Sequence, residues 1–331
     1  MPHDITLGGR LSPEETARIT RRTTYASVSV ATILIIIKAW AWHASGSVSL
    51  LSSLADSGLD LAASLFTLGA VAYAAIPPDE DHRYGHGKAE GFAALFQAAL
   101  VGASATLIVI EAIDRLRHPK PITETGLSMI VMVVSILLTL LLIYIQTRAL
   151  RITGSVATAG DRAHYAADLG ANFAVIVGIG ASSMLGFVWA DPVVGLLVAA
   201  WLVWGAIGVA REAADQLMDR ELDENDRQEI VALAASVSTE LGVHQLRTRM
   251  SGPIIHIQFH LEMPNSLSLI EAHAVMVACE RRILEKYPGA DIIIHPDPRG
   301  AQPHGGEFFR EDPDDYELKP SSGETNSEGV S

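Results

Sequence analysis

Charged residues and cysteine are both scarce in this 331-residue chain. Asp, Glu, Lys and Arg make up 19% of it and hydrophobic residues 49%, whereas soluble domains carry about 25% charged residues. The mean hydropathy is accordingly positive, at +0.27. The single cysteine, Cys279, excludes an internal disulfide and a zinc site built from several thiolates. The composition therefore indicates a membrane protein.

Several other protein classes also lack support. Nucleic-acid binding would need clustered positive charge, but the formal net charge is −14, and residues 301–331 contribute −6 of it with eight acidic and two basic side chains. The polar N-terminus has no short apolar region followed by a small-residue cleavage site, so we expect no removable signal peptide. The sequence contains no His-Glu-x-x-His motif and no nucleophile motif, which disfavours a hydrolase.

Six long apolar runs organise the first two thirds of the chain. Each is near the ~20 residues that a helix needs to span a bilayer, and an even number of spans places both termini on one side. The pattern predicts a polytopic α-helical membrane protein with six transmembrane helices, the last two forming a tight hairpin around Asp191-Pro192. The runs are Tyr25–Trp42 (interrupted by Lys38), Val48–Ile76, Gly91–Ile110, Gly126–Thr147, Leu169–Ala190 and Pro192–Ala210.

Basic residues near the ends of these runs predict the orientation in the membrane. Three of them, Arg115, Arg117 and Lys120, lie in one loop on the side opposite the termini. We expect the termini to be cytoplasmic, because eleven basic residues lie on their side. These are Arg10, Arg18, Arg21, Arg22, Arg83, Lys88, Arg148, Arg151, Arg162, Arg211 and Arg220.

From about Met218 the pattern becomes that of a small soluble domain with the order αββαβ. The predicted elements are a helix capped by Asp223, strands at Gln245–Met250 and Ile254–Met263, a helix begun by a Ser268–Glu271 capping box and ending near Gly289, and a strand at Asp291–His295. Four parts result: a cytoplasmic segment (1–22), a six-helix transmembrane domain (23–217), a cytoplasmic metal-binding, metallochaperone-like domain (218–300) and a disordered acidic tail (301–331).

Two carboxylates interrupt the second apolar run. Asp56 and Asp60 are four residues apart, so a helix places them one turn apart on the same face. Each carboxylate costs several kcal/mol in hydrocarbon, and two close together also repel each other. A bound cation would relieve both costs. The alternative is that these groups hydrogen-bond serine or backbone groups within the bundle.

A second pair with the same spacing, His164 and Asp168, lies just ahead of the fifth run. If that helix extends upstream through Gly160, three carboxylates and one imidazole converge between two helices. Four such ligands suit tetrahedral Zn²⁺ and also accept Cd²⁺, Co²⁺, Fe²⁺ or Mn²⁺. The alternative is a helix end at the membrane interface, where polar residues are tolerated.

Two further groups of metal-binding side chains occur outside the apolar runs. His82 and His86 lie four residues apart among acidic residues, directly after Pro77-Pro78, although a loop is often charged without binding metal. The soluble part holds five histidines, any one of which is by default a surface or core residue. Together they indicate a structural or regulatory metal site: His244, His256, His260, His273 and His295, with Asp297 nearby.

Linked motifs in these segments resemble those of the cation diffusion facilitator family, and of its bacterial YiiP/FieF branch in particular. The likeness runs from about Arg21 to Gly300. The motifs are Leu-Ala-Asp-Ser-x-x-Asp, His-Arg-Tyr-Gly-His-Gly-Lys-Ala-Glu, His-Tyr-x-x-Asp, Leu-Arg-Thr-Arg-x-Ser-Gly-Pro, His-Ile-Gln-Phe-His-Leu-Glu-Met and Ile-Ile-Ile-His-Pro-Asp-Pro.

The resemblance implies a homodimeric zinc/proton antiporter with three metal sites. It implies a dimer-stabilising ion pair between Lys88 and Asp219. Two departures, Pro296 beside the last histidine and the additional His256, affect the cytoplasmic site. The implied sites are a transport site at Asp56, Asp60, His164 and Asp168, a loop site at Asp79, His82 and His86, and a cytoplasmic binuclear site at His244, His260, His273, His295 and Asp297.

We therefore expect efflux of divalent metal from cytoplasm to periplasm across a bacterial inner membrane, by proton antiport with alternating access. Zn²⁺ is the first candidate, ahead of Cd²⁺, Fe²⁺, Co²⁺ and Mn²⁺. The expected partners are metal ions, protons, the lipid bilayer and a second copy of the chain. Two alternatives are a non-transporting membrane metal sensor and an intramembrane metallohydrolase. The hydrolase would need an open coordination position and a general base or nucleophile nearby.

Overall fold

The structure, a computed structural model, describes residues 11–46, 48–117, 126–185 and 190–300. The expectations for Arg10, Lys120 and the acidic tail at 301–331 lie outside these residues. The chain divides into two compact units. The first unit takes in residues 1–222, Thr248–His256 and Leu284–Asp291, and the second takes in Asp223–Arg247, Ile257–Ile283 and the chain from Ile292.

Among the residues described, six long helices make up most of the first unit. By length and composition, all of these but the fifth qualify as membrane spans. The fifth carries polar residues in its first half and completes the bundle, so the predicted six-helix fold is confirmed. The helices are α1 (Pro13–Ser45), α2 (Val48–Ala74), α3 (Ala89–Arg117), α4 (Gly126–Thr153), α5 (Val156–Leu185) and α6 (Ala190–Leu217).

The first helix begins twelve residues before its apolar run. Ser12 and Glu15 form a capping box, in which the Glu15 N–H donates to the Ser12 hydroxyl, and Pro13 occupies the first turn. These signals start a helix in water before it reaches apolar sequence. The helix ends at Gly46, whose left-handed backbone (φ 64°) lets its N–H donate to the Trp42 carbonyl at 2.8 Å.

Small residues let the helices of the bundle approach closely. α3 packs against α5 and α6, and α1 packs against α2 and α4. At Gly160 an added β-carbon would lie only 2.9 Å from the α-carbon of Ala94. Close packing through glycine and alanine is the usual way in which membrane helices associate. It holds the start of α5, which carries His164, firmly against α3.

A buried carboxyl group ties four of the helices together. Asp161 of α5 is only 2% exposed. It accepts hydrogen bonds from the Ser27 hydroxyl of α1 at 2.5 Å and from the Gln146 amide of α4 at 2.9 Å. The Gln97 amide of α3 lies at 3.4 Å. Buried polar groups need such partners, and this network holds α5 in place one turn before His164.

The soluble part has the predicted αββαβ order. Its elements are α7 (Glu224–Ala235), β1 (Gly242–Ser251), β2 (Ile254–Met263), α8 (Leu269–Leu284) and β3 (Ala290–Pro298), and the strand order is β1-β2-β3. The Ile255 N–H donates to the Gly289 carbonyl, and the Arg299 N–H donates to the Met263 carbonyl. The residue numbers increase in the same direction along both strands from the first bond to the second. β2 and β3 are therefore parallel, and α8 is the crossover between them.

The local signals of this part have different outcomes. The Ser268–Glu271 capping box of α8 is confirmed by a 2.8 Å bond from the Ser268 N–H to the Glu271 carboxylate. Asp223 stands at the N-cap of α7, but its side chain makes no capping hydrogen bond. α8 ends at Leu284, before the Gly289 that was expected, because a proline follows at position 288 and disfavours helix for the residue before it.

Candidate metal centres

Two helices bring three of the four predicted transport-site residues together. His164 and Asp168 lie one turn apart on α5, facing Asp60 of α2. The Nε2 atom of His164 lies 3.1 Å from Oδ1 of Asp60 and 3.9 Å from Oδ2 of Asp168, and one ligand atom from each residue falls within a 4.8 Å cluster. The convergence arises because α5 starts at Val156 and so continues through Gly160, as the sequence required.

The fourth predicted residue, Asp56, stands outside this cluster. It lies one turn before Asp60 on α2 and is exposed, whereas Asp60 and Asp168 are partly buried. The two aspartates of α2 still act on each other electrostatically. The helix register that puts both on one face therefore does not give them the same surroundings.

The His164 ring presents one nitrogen to the carboxylates. Its Nε2 faces Asp60, while Nδ1 is buried without a hydrogen-bond partner among the described residues. Nε2 is thus the atom that can bind metal together with carboxylate oxygens. One imidazole nitrogen and two carboxylates match the ligand types that Zn²⁺ takes, with room for further ligands.

Lys38, which interrupts the first apolar run, adds a positive charge near these carboxylates. Its Nζ donates to the Ser57 hydroxyl at 2.6 Å and to the Ser53 carbonyl at 3.2 Å. Both acceptors belong to the part of α2 that carries Asp56. A lysine inside an apolar run indicates that a polar partner lies within the bundle. The identity of that partner depends on how α1 packs against α2.

The loop between α2 and α3 forms a second cluster. Oδ1 of Asp79 lies 3.2 Å from Nδ1 of His82, and Oδ2 of Asp79 lies 3.3 Å from Nε2 of His86. The carboxylate also accepts the backbone N–H of His82 at 2.6 Å. This backbone hydrogen bond, more than the side-chain contact with the same histidine, lowers the pKa of the Asp79 carboxyl below its usual value. The site therefore holds an ionised ligand at neutral pH.

The tautomer of His86 suits metal binding. Its ring is buried, and Nδ1 lies 3.3 Å from the Ile76 carbonyl. A carbonyl only accepts, so Nδ1 donates to it, and Nε2, which faces the Asp79 carboxylate, is the nitrogen that a metal ion could bind in place of a proton. A ligating histidine commonly has its other nitrogen fixed in this manner.

One carboxylate organises the cluster in the soluble part. Oδ2 of Asp297 lies 2.8 Å from Nδ1 of His260 and 3.3 Å from Nε2 of His244. Its other oxygen, Oδ1, lies 3.3 Å from Nε2 of His295. Pro296 fits between His295 and Asp297 because β3 is an edge strand, where a missing N–H is tolerated. The structure thus brings together four of the five residues predicted here.

Two histidines of the soluble part lie apart from that carboxylate. His273 is exposed on α8 and is not among the residues that the structure gathers around Asp297. His256 is buried, with Nδ1 3.0 Å from Oδ2 of Asp291 and its ring edge-on to Tyr84 at 5.5 Å. Burial lowers the pKa of His256, although the Asp291 hydrogen bond opposes the shift. His256 is therefore a buried neutral residue.

Asp219 takes part in a three-residue ionic contact. The Lys88 ammonium lies 3.0 Å from its carboxylate, and the Arg249 guanidinium also lies 3.0 Å from it. Arg249 stacks over the Tyr84 ring, 4.7 Å from its centroid. Burial acts against the charged carboxylate, but hydrogen bonds from both cations lower the pKa of Asp219. The predicted Lys88–Asp219 contact forms within a single chain, and Arg249 is a partner that the sequence did not indicate.

A helical membrane bundle with carboxylate and imidazole groups gathered between its helices, joined to a small histidine-rich α/β domain, defines a metal-handling membrane protein. Residues 24–218 match the model of the cation efflux transmembrane domain, and residues 222–299 match that of the cation efflux protein cytoplasmic domain. The chain belongs to the cation efflux family, also called the cation diffusion facilitators, which confirms the resemblance.

Curated relatives are similar over nearly their whole length. A cation-efflux pump FieF of Yersinia enterocolitica is 41% identical over 287 residues, which cover 87% of this chain and 95% of that protein. The FieF pump of an Escherichia coli O127:H6 strain is 39% identical over 289 residues, covering 87% and 96%. That of Shigella flexneri matches with the same identity and the same coverage.

Proposed function

We propose that the protein exports divalent metal cations, Zn²⁺ foremost, from the cytoplasm in exchange for protons. Asp56, Asp60, His164 and Asp168 form the transport site. Membership of the cation efflux family and similarity to cation-efflux pumps support the direction of transport. The observation that carries the assignment of the site is the 3.1 Å approach of His164 to Asp60, which joins α2 to α5 inside the bundle.

The donor set accounts for the choice of metal. An imidazole nitrogen and carboxylate oxygens suit Zn²⁺ in four-coordinate geometry, and Asp56, which stands outside the cluster on the preceding turn of α2, would supply the fourth ligand. Such a set also accepts Cd²⁺, Co²⁺, Fe²⁺ and Mn²⁺. The absence of cysteine from the site argues against selection for soft Cu⁺.

The same atoms couple metal to protons. Carboxylate and imidazole ligands must lose their protons to bind metal, so protons and metal compete for the site. When the site opens alternately to the two sides of the membrane, this competition becomes exchange. Protons entering down their gradient displace the metal outward, and each proton that crosses 100 mV brings about 2.3 kcal/mol.

The remaining clusters have supporting roles in this proposal. Asp79, His82 and His86 form a loop site on the cytoplasmic side. His244, His260, His273, His295 and Asp297 form a cytoplasmic site for two ions, with Asp297 offering one oxygen to each. Metal bound there stiffens a homodimer and favours one state of the transport cycle. Lys88 and Asp219 stabilise that dimer, which lies in the inner membrane with both termini in the cytoplasm.

Metal flux into proteoliposomes under an imposed pH gradient tests the proposal. Zn²⁺, Cd²⁺, Fe²⁺, Co²⁺ and Mn²⁺ are offered in turn to the wild type and to Asp60→Ala. The matched control is Glu111→Ala, which removes an exposed carboxylate of α3 whose partner is Arg115 at 2.8 Å. We expect gradient-dependent Zn²⁺ flux in the wild type and the control and none in Asp60→Ala. Metal binding without flux in the wild type would contradict the proposal and favour a sensor.

A further inference from the structure

We propose that Lys38 is the charge-balancing residue of the transport site. Its ammonium makes the site electrically neutral when three carboxylates hold one divalent ion. This inference rests on the proposed function and deepens it, because it concerns the charge of the site that crosses the membrane. It assigns a role to a residue that is not itself a metal ligand.

The side chain of Lys38 does not extend towards the membrane surface, as lysines in membrane helices usually do. It lies seven residues before the end of α1 at Ser45, which is about 10 Å along the helix axis. A lysine near a helix end normally extends towards the water at the membrane surface. The Nζ of Lys38 instead turns towards α2, where it donates to the Ser57 hydroxyl and the Ser53 carbonyl.

Those two acceptors hold the ammonium beside the acidic turns of α2. Ser57 follows Asp56 directly, lies three residues before Asp60 and is fully buried. The acidic groups that act electrostatically on Lys38 are Asp60, Asp168 and Asp56, the three carboxylates of the proposed transport site. The lysine is therefore placed by hydrogen bonds within the field of all three, without being bound to any of them.

The net charge of the metal-loaded site explains what Lys38 would contribute. Three ligand carboxylates carry three negative charges, and a bound divalent ion returns two, so the loaded site would keep one negative charge with neutral His164. Moving a net charge through a low-dielectric bundle is costly. The single ammonium of Lys38 cancels that charge for a divalent ion, and leaves a monovalent or trivalent ion unbalanced.

The charge also tunes the affinity for metal. A fixed cation near the site repels an incoming divalent ion, because both act within a medium of low effective dielectric. Replacing Lys38 by a neutral residue should therefore tighten metal binding while making the movement of the loaded site sensitive to voltage. A residue that only tethered α1 to α2 would change neither property in this direction.

The test uses exchange of labelled for unlabelled Zn²⁺ across proteoliposomes at equal pH on both sides, so that only the loaded site moves. The membrane potential is set with potassium gradients and valinomycin. Lys38→Met removes the charge and keeps most of the stem, and Lys38→Gln is a second neutral variant. Lys38→Arg keeps the charge, while Ser57→Ala keeps the charge and removes one hydrogen bond.

We expect exchange by the wild type, Lys38→Arg and Ser57→Ala to be independent of voltage. Exchange by Lys38→Met and Lys38→Gln should depend on it, with a ceiling of about 50-fold per 100 mV for one charge crossing the whole field. In detergent, the Kd for Zn²⁺ of the neutral variants should fall about tenfold or more.

Each other outcome is decisive. Voltage-independent exchange in the neutral variants, or voltage-dependent exchange in the wild type, overturns charge balance while leaving efflux intact. So does a loss of folding in both neutral variants, judged by size-exclusion chromatography, when Lys38→Arg folds, because the lysine is then a structural requirement. No exchange in the wild type refutes the proposed function itself.

Discussion

Gly87 and Gly252 meet backbone to backbone within the first unit. A β-carbon added to Gly252 would lie 2.9 Å from the α-carbon of Gly87, and one added to Gly87 would overlap the carbonyl group of Ser251. Gly87 follows the loop cluster and precedes α3, while Gly252 is the turn between β1 and β2. This contact fixes the end of the loop that carries His82 and His86.

The contact predicts that Gly87→Ala is destabilising because no flexible side chain can move aside. Overpacking of this kind costs about 1–3 kcal/mol. The midpoint of thermal unfolding in detergent should fall by several degrees, and protease cleavage of the 79–88 loop should become faster.

Two other glycines separate lack of space from backbone strain. Gly85 has φ +77°, but a β-carbon added there would meet only ordinary contacts, with Pro78 at 3.8 Å and Ile254 at 4.0 Å, so Gly85→Ala tests strain alone. Gly102 has nothing within 4 Å, and Gly102→Ala should be neutral or slightly stabilising. A Gly87→Ala protein as stable as Gly102→Ala would show that the close approach is absent in solution.

Asp297 should be required for metal binding in the soluble part, and His273 should matter less. Three histidines surround the Asp297 carboxylate, whereas His273 stands apart on α8. Zn²⁺ bound to the folded state stabilises it by about 2.7 kcal/mol when its concentration is 100 times Kd. Asp297→Ala should lose most of the Zn²⁺-dependent rise in unfolding temperature, and His273→Ala should keep most of it.

His256→Asn is the control for that measurement, because His256 is bonded to Asp291 and not to Asp297. The measurement is made in an Asp60→Ala background, which removes a transport-site ligand and limits the signal from the membrane bundle. An equal loss in His273→Ala and Asp297→Ala would show that α8 moves to complete the site when metal binds.

The sequence predicted the helices well, but it did not predict the different surroundings of two residues on the same helix face. Apolar runs gave the six helices of the bundle, since a bilayer leaves few other structures possible. Spacing also placed Asp56 and Asp60 on one face, but only the approach of α5 separates the clustered Asp60 from the exposed Asp56. The partners of Lys38 likewise depend on how α1 packs against α2, which spacing within either helix does not reveal.

Strand alternation was similarly informative and incomplete. His256 and His260 are four residues apart on β2 and so point to the same face of the strand, and both belong to the five histidines that predict one metal site. Four residues of a strand span about 13 Å, so the two rings are too far apart to share an ion. His260 reaches Asp297, while His256 reaches Asp291, a pairing that requires knowing the parallel register of β2 and β3.

Asp219 should contribute more to stability than either of its cationic partners. Its removal leaves both Lys88 and Arg249 without their shared carboxylate, whereas loss of Lys88 leaves the Arg249 contact in place. Partly exposed ion pairs are worth about 0–1 kcal/mol each, so Asp219→Asn should lower the unfolding temperature more than Lys88→Met. High salt should reduce the difference. Lys88 also donates to the Leu217 carbonyl at 3.1 Å, so equal effects of the two substitutions would mean that the Arg249 contact is worth no more than that hydrogen bond.

His256 predicts a loss of stability below pH 6.5. The Asp291 carboxylate accepts at neutral pH, so Nδ1 carries the proton and Nε2 is left as a buried lone pair without a partner among the described residues. Protonation would create a buried, unpaired N–H and a buried charge. Burial accordingly lowers the pKa of His256 from its ordinary 6.5, against the opposing Asp291 bond.

The sign follows from linkage between protonation and folding. Above pH 6.5 the ring is neutral in both the folded and unfolded chains, so it contributes no pH dependence. As the pH falls below 6.5 the unfolded chain takes up the proton first, and stability is lost until the pH reaches the lower pKa of the folded state. His256→Asn keeps a donor near the position of Nδ1 and cannot titrate. Between pH 8 and pH 5, the thermal unfolding temperature should therefore fall more steeply in the wild type than in His256→Asn. Parallel curves for the two proteins would show that the His256 ring is in contact with water.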